Sequence, residues 1–257
     1  MKRWSFRIVV LATAVLIGST AAVRASDLAI SPTTITLTNE PAQDVVVTNT
    51  GNGLVRLSVR AYAWSQNADD PEKLVESDKV VYFPEIFVLP PGATQRIRVG
   101  VAGRPTDKEQ TYRLIIQELP SNPIPGPNGA GVSFVGRIDM PVFVAPGDSI
   151  RPTRIPKLAS LRVERGVAQA VLANEGNVHI SQSTIRFTGV NRQGRVIWTD
   201  TKQPFYILAN GTQTARASIP RSICSQLESV TVRWSLRDNL GVLTSSAKAT
   251  SCSSRGP

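Results

Sequence analysis

Histidine is almost missing from this chain of 257 residues: His179 stands alone. Cysteine occurs twice, at Cys224 and Cys252. Together these shortages exclude zinc modules built on four cysteines and most histidine-rich metal sites. A histidine-dependent triad is excluded unless His179 is its base, and His179 follows a Gly-Asn turn, where a surface residue is the simpler reading. No Gly-x-Ser-x-Gly, P-loop or His-Glu-x-x-His pattern occurs. Asp69, Asp70 and Asp78 lack the spacing of an EF-hand. No apolar run approaches the ~20 residues of a membrane span. No Lys/Arg run exceeds two residues, so nucleic acid is a poor partner. These absences point away from an enzyme, and no cofactor is implied.

The N-terminus is where basic and apolar residues do concentrate. Lys2, Arg3 and Arg7 precede the apolar run Ile8–Gly18, and small residues lead to Val23-Arg24-Ala25. This order reads as a secretory signal peptide over residues 1–25. Cleavage would remove four of the 29 basic residues and none of the 19 acidic ones, leaving a net charge of +6. In an oxidising compartment two cysteines usually pair. Cys224 and Cys252 flank the strand-like runs Ser229–Leu236 and Val242–Ala249, with Asp238 midway in a turn-like segment. A hairpin centred there brings both cysteines to its open end, which predicts a disulfide.

Helical periodicity is nearly absent. Short runs rich in Val, Ile, Thr and aromatics alternate with Gly, Pro and Asn. Seven runs precede the linker Ala145-Pro146-Gly147-Asp148: 28–37, 44–49, 55–64, 79–83, 94–101, 111–119 and 131–144. Seven follow: 158–163, 168–173, 180–188, 195–199, 213–219, 229–236 and 242–249. That density is the strand count of an immunoglobulin-like sandwich on each side. The predicted fold is therefore all-β, with an N-terminal domain over 26–146 and a C-terminal domain over 147–257. Trp64, Trp198 and Trp234 read as sandwich core, while Trp4 leaves with the signal. The halves also echo one another. Val47-Thr48-Asn49-Thr50-Gly51-Asn52 returns as Leu172-Ala173-Asn174-Glu175-Gly176-Asn177, and Leu89-Pro90-Pro91-Gly92 resembles Leu208-Ala209-Asn210-Gly211. Two echoes in the same order favour a duplicated topology.

Thr111-Tyr112-Arg113-Leu114-Ile115-Ile116-Gln117-Glu118-Leu119-Pro120 resembles a strand of the periplasmic chaperones of the chaperone–usher pathway, the PapD-like family. Leu89-Pro90-Pro91-Gly92 with Arg96-Ile97-Arg98-Val99 is similar to that family's Pro-Gly turn and Arg-bearing strand. Asn49-Thr50-Gly51 falls at its Asn-containing turn. Arg137-Ile138-Asp139-Met140-Pro141-Val142-Phe143-Val144 looks like its closing strand, especially in the archaic branch that serves spore-coat-U-like pilins. The resemblance spans about residues 27–252. It implies two immunoglobulin-like domains in an L and residence in the periplasm. It also implies pilus subunits as clients and an outer-membrane usher as the receiving partner.

The resemblance further implies an edge strand lent to an incomplete subunit. The loop Ser121–Ala130, rich in Pro and Gly, precedes that strand. Val132, Phe134, Gly136, Ile138 and Met140 share one face by period two, Val135 and Phe143 the other. Val132, Phe134, Gly136 and Ile138 are the donor candidates, while the strand from Met140 on reads as the chain's own core. Pro141 suits an edge position. Family members bind the client's C-terminal carboxylate with basic residues where this chain has Thr34 and, nearby, Pro141. Arg113 is the replacement candidate, with Arg98 and Arg137 as weaker ones. Glu109 and Asp238 fall near positions of an interdomain salt bridge whose arginine is replaced by Ala145. Arg151 or Arg154 could substitute, though solvated acids are the simpler reading. The alternative to a chaperone is a secreted two-domain adhesion or carbohydrate-binding module.

Overall fold

The computed structural model describes residues 28–38, 40–120, 135–181, 183–203, 206–237, 240–249 and 252. The expected signal peptide, Val132, Phe134 and Asp238 lie outside the described residues. Ten strands form the first sandwich: β1 (Leu28–Ser31), β2 (Ile35–Leu37), β3 (Ala42–Asn49), β4 (Val55–Ser65), β5 (Lys73–Glu76), β6 (Val80–Phe83), β7 (Ile86–Leu89), β8 (Thr94–Val101), β9 (Gln110–Glu118) and β10 (Arg137–Val144). One sheet runs β1-β3-β8-β6; the other runs β2-β10-β9-β4-β5, with β7 also on β4. Alternating Val45 and Val47 on β3 and Ile97 and Val99 on β8 face Leu57, Val59, Leu114, Ile116, Met140 and Val142 across a single apolar core. This is period-two burial expressed on both inner faces.

The run 28–37, expected as one strand, is two. Pro32 interrupts it, and a proline cannot donate to a ladder. The chain then changes sheets: β1 pairs antiparallel with β3, while β2 pairs parallel with β10. The short strands β5 and β7 were not legible as separate runs. Both are four residues long, and β5 carries Lys73 and Glu76.

The second sandwich comprises β11 (Pro156–Glu164), β12 (Val167–Asn174), β13 (Ile180–Ser181), β14 (Thr184–Val190), β15 (Val196–Lys202), β16 (Tyr206–Ile207), β17 (Thr212–Ser218), β18 (Ser229–Ser235) and β19 (Val242–Lys248). Its sheets run β11-β12-β17, β13-β16 and β15-β14-β18-β19. Fully buried Trp234 and Phe187 share a core with the small side chains Ala168, Ala170 and Ala217. A single turn of helix, α1 (Arg221–Cys224), precedes β18. It carries Cys224 into the core, where Cys224 is joined to Cys252 with 5.4 Å between Cα atoms. Ser229 pairs with Lys248 and Ser235 with Val242, so the hairpin is centred between residues 238 and 239.

The sequence echo corresponds to a repeated hydrogen-bond device. Asn49 is fully buried, and its Nδ2 donates to the carbonyls of Gly53 (2.7 Å) and Leu89 (2.9 Å), while its Oδ1 accepts from Gly51 N. Asn174 is equally buried; its Nδ2 donates to Val178 O, Ile207 O and Leu208 O, and its Oδ1 accepts from Gly176 N. Each buried amide closes a loop by bonding backbone groups on both of its atoms, the carbonyls of Leu89, Ile207 and Leu208 in buried bonds.

Candidate functional site

Three features of the β2-β10-β9-β4-β5 sheet define the site: an open edge, a buried cation and a joint with the second sandwich.

The open edge belongs to β10. Its inner side is paired with β9 from Arg137↔Gln117 to Val144↔Gln110. Its other side is covered by β2 only at Val142, Phe143 and Val144. Among the described residues nothing pairs with that side over Arg137–Met140. Glu118 N donates to Gly136 O, so Gly136, Ile138 and Met140 aim their backbone groups at β9. By alternation, Arg137 and Asp139 turn N–H and C=O outward, and Pro141 turns its C=O. Pro141 is thus tolerated because its missing N–H would have faced the unpaired side.

Side chains on this strand divide by parity. Met140 and Val142 are in the sandwich core. Ile138 points the same way but is only half-buried, at the end of that core. Gly136 continues the row and is also half-buried. On the outer face, the Arg137 guanidinium grips Asp139 through Nε (2.7 Å) and Nη2 (3.0 Å), and this hydrogen bond raises the Arg137 pKa above its ordinary value.

The three candidate arginines do not converge. Arg98 lies on β8 in the opposite sheet, exposed, 3.1 Å from Asp44. Arg137 is engaged by Asp139 near the start of β10. Arg113 alone is buried, with its side chain 9% exposed. It sits on the outer face of β9, between Tyr62 on β4 and Pro141 on β10. Its Nη2 donates to Glu72 Oε1 at 2.8 Å, and its Cζ lies 3.6 Å from the Trp64 ring centroid. Its Nε is buried and has no partner among the described residues. The Thr34 hydroxyl lies 3.5 Å from Tyr206 Oη, and the Tyr206 ring packs edge-on against Trp64, the ring beneath Arg113.

The joint is formed by aromatic rings from both sandwiches. Trp64, Phe143 and Leu208 make a small buried cluster with Leu74 and Tyr206 around it. Trp64 is therefore not sandwich core, as its strand context suggested. It stands on the outer face of β4, where a strand's second face is read as solvent unless another unit covers it. Trp234 is in the core of the second sandwich as expected, and Trp198 is partly buried against that core.

Two further expectations are corrected here. Glu109 is not solvated: it is 8% exposed, and its carboxylate accepts from His179 N at 2.9 Å and lies 2.8 Å from His179 Nδ1. His179 is not a surface residue, since its ring stacks on Phe143 with centroids 3.8 Å apart. Neither was visible in sequence, because Glu109 and His179 are 70 positions apart. Arg154 takes no acid in this joint; its Nε donates to His179 O. Other bonds cross the same seam. Gln66 accepts from Leu208 N and donates to Tyr206 O, Thr214 Oγ1 donates to Ala68 O, and Asn177 Nδ2 donates to Asp107 O.

Among the described residues no helix is long and apolar enough to cross a membrane. No curated protein matches the chain in sequence. Several solved structures share its fold. A chain of the CsuC–CsuE chaperone–tip adhesion subunit pre-assembly complex, from archaic chaperone-usher Csu pili of Acinetobacter baumannii, is 19% identical with a TM-score of 0.50, over 74% of this chain and 90% of that one. The class 5 fimbriae chaperone CfaA is 16% identical with a TM-score of 0.50, over 85% of this chain and 98% of its own. A chain of the chaperone–tip adhesin complex of CFA/I fimbriae biogenesis is 15% identical, again at 0.50, over 86% and 98%. Residues 27–149 match the family of pili and flagellar-assembly chaperones, PapD N-terminal domain. The first sandwich thus matches the PapD-like pilus chaperone family, and the chain as a whole shares the two-sandwich fold of solved pilus chaperones.

Proposed function

We propose that this protein is a periplasmic chaperone that caps pilus subunits by adding the free edge of β10 to an incomplete subunit sandwich, then delivers them to an outer-membrane usher. The observation that carries this reading is the edge itself. Arg137 and Asp139 present unpaired backbone groups beside half-buried Ile138, and such an edge is a template for an added strand. The solved relative from Acinetobacter baumannii was captured with a tip adhesion subunit, which supports a subunit as partner here. In this reading residues 1–25 direct export. Residues 26–146 form the client-binding domain and 147–257 the second domain. Gly136 and Ile138 line the donor row with Val132 and Phe134, which lie outside the described residues.

Arg113 is the proposed anchor for the client's C-terminal carboxylate. It is the only one of the three candidate arginines that is buried, and a desolvated guanidinium binds a carboxylate more strongly than an exposed one. Arg98 and Arg137 serve the surface in this reading.

Expression with the subunit and usher genes of its own host, followed by periplasmic purification, tests the proposal. The expected result is co-purification with a small subunit that is unstable alone. Ile138→Asp should abolish capture and leave the melting of the free chaperone nearly unchanged. Wild-type protein that retains a surface ligand by itself and never a subunit would instead be an adhesion module.

A further inference from the structure

Arg113 is already holding a carboxylate. Glu72 Oε1 lies 2.8 Å from its Nη2, and the guanidinium is laid over Trp64 to reach it. Sheet order fixes the direction of that reach. Glu72 directly precedes β5, and β4 separates β5 from β9, so the cation is drawn away from β10 and its open edge.

Glu72 is delivered there by a built turn. Asn67 Oδ1 accepts from the backbone N–H of Asp69 and Asp70, Asn67 N donates to Asp70 O, and Asp70 Oδ1 accepts from Glu72 N. Trp64 Nε1 donates to Pro71 O, fixing the same segment to the ring beneath the arginine. The carboxylate itself is not sealed in: the Glu72 side chain is 56% exposed against 9% for Arg113. It can leave without opening the core.

The grip is also incomplete. A guanidinium offers Nε and Nη2 as a fork to one carboxylate, as the Arg137–Asp139 pair shows at 2.7 and 3.0 Å. Glu72 takes only Nη2, and Nε stays buried with no partner among the described residues. A buried donor left unpaired is costly, so a carboxylate able to take both atoms is favoured over Glu72.

We propose that Glu72 is an internal stand-in for the client carboxylate, an autoinhibitory contact that parks Arg113 until a chain terminus displaces it. This rests on the assignment of Arg113 as the anchor. The stand-in keeps a buried cation neutralised in the free protein and makes engagement a competition between two carboxylates. Partners with a blocked C-terminus cannot win it.

The probe is a synthetic ten-residue peptide of alternating Val and Thr with a free C-terminal carboxylate, and the same peptide as its amide. Binding is followed on the full mature chain by calorimetry and by the Arg113 Nε–H resonance. In the wild type the acid should move that resonance and the amide should not. In Glu72→Gln the acid should bind about five- to tenfold tighter, the amide should be unchanged, and the thermal melt should be nearly so. Glu72→Asp, one methylene shorter, should give a gain of the same sign. Acid affinity that is unchanged or weaker in both variants, yet still lost in Arg113→Ala, overturns the stand-in and leaves the anchor intact. If acid and amide bind alike and Arg113→Ala binds as the wild type does, the anchor falls and the stand-in with it.

Discussion

The imidazole of His179 lies flat on the ring of Phe143, 3.8 Å between centroids and 18° between planes. One residue belongs to the second sandwich and the other to the strand with the open edge. The same imidazole reaches Glu109 through Nδ1, and Tyr206 meets its edge at 5.4 Å. The angle between the sandwiches is thus set by a plug of aromatic contact and hydrogen bonding. Removing it should loosen the joint while each sandwich keeps its own core.

His179→Ala should lower stability by about 1–3 kcal/mol, from a lost ring contact and a lost hydrogen bond to a buried carboxylate. Glu109 keeps the backbone N–H of position 179, which limits the damage. Small-angle scattering should show a broader distribution of interdomain distances, and limited proteolysis should speed up across residues 145–155. An unchanged scattering profile would mean that the Gln66, Thr214 and Asn177 bonds hold the angle without it.

Asn49 and Asn174 are expected to be the least replaceable polar residues of their sandwiches. Each buried amide satisfies backbone carbonyls in buried bonds. Asn174→Ala should cost about 3 kcal/mol in urea unfolding, and Asn49→Ala a similar amount. Aspartate should be worse than alanine at both sites, since it turns an acceptor toward carbonyl oxygens. Equal effects of Asp and Ala would show that shape rather than donation matters there.

The link between Cys224 and Cys252 spans 28 positions and joins α1 to the end of the last hairpin. Both cysteines belong to the second core. In the chain-entropy account a loop of this size contributes about 3 kcal/mol. Replacing both with serine should destabilise the second sandwich by at least that amount, and non-reducing peptide mapping of periplasmic protein should recover the linked pair. Free thiols on such material would contradict the assignment.

Gly176 illustrates a requirement that its turn alone does not set. A side chain there would run into the carbonyl oxygen of Thr153 and the Cα of Arg154, both in the linker. Gly176→Ala should therefore cost about 1–3 kcal/mol through displaced backbone. The Thr153 N–H bond to Asn177 Oδ1, 2.6 Å long, should exchange faster with solvent in that variant.

Much of this protein was written in local pattern. Runs rich in Val, Ile and Thr over 44–49, 94–101 and 111–119 marked strands because such side chains suit a pleated chain whatever the partner strand is. Asn-x-Gly turns at Asn49 and Asn174 were visible as a repeat because their chemistry is contained within a few residues. The two cysteines and the hairpin between them could be paired by symmetry about residue 238.

Tertiary structure decided what no window of sequence contains. Which edge stays open depends on where β2 begins along β10, and that follows from the break at Pro32 more than a hundred residues away. Sequence singles out Arg113 as a carboxylate anchor through the family resemblance, which says nothing of its burial. It is buried because the 67–72 turn, 41 positions away at Glu72, folds over Trp64 and supplies a counter-charge. His179 looked like a surface residue because its partners, Phe143 and Glu109, come from the other sandwich. Burial of a second face, and the pairing of charges upon it, is a property of what packs there; alternation along one strand carries no information about that neighbour.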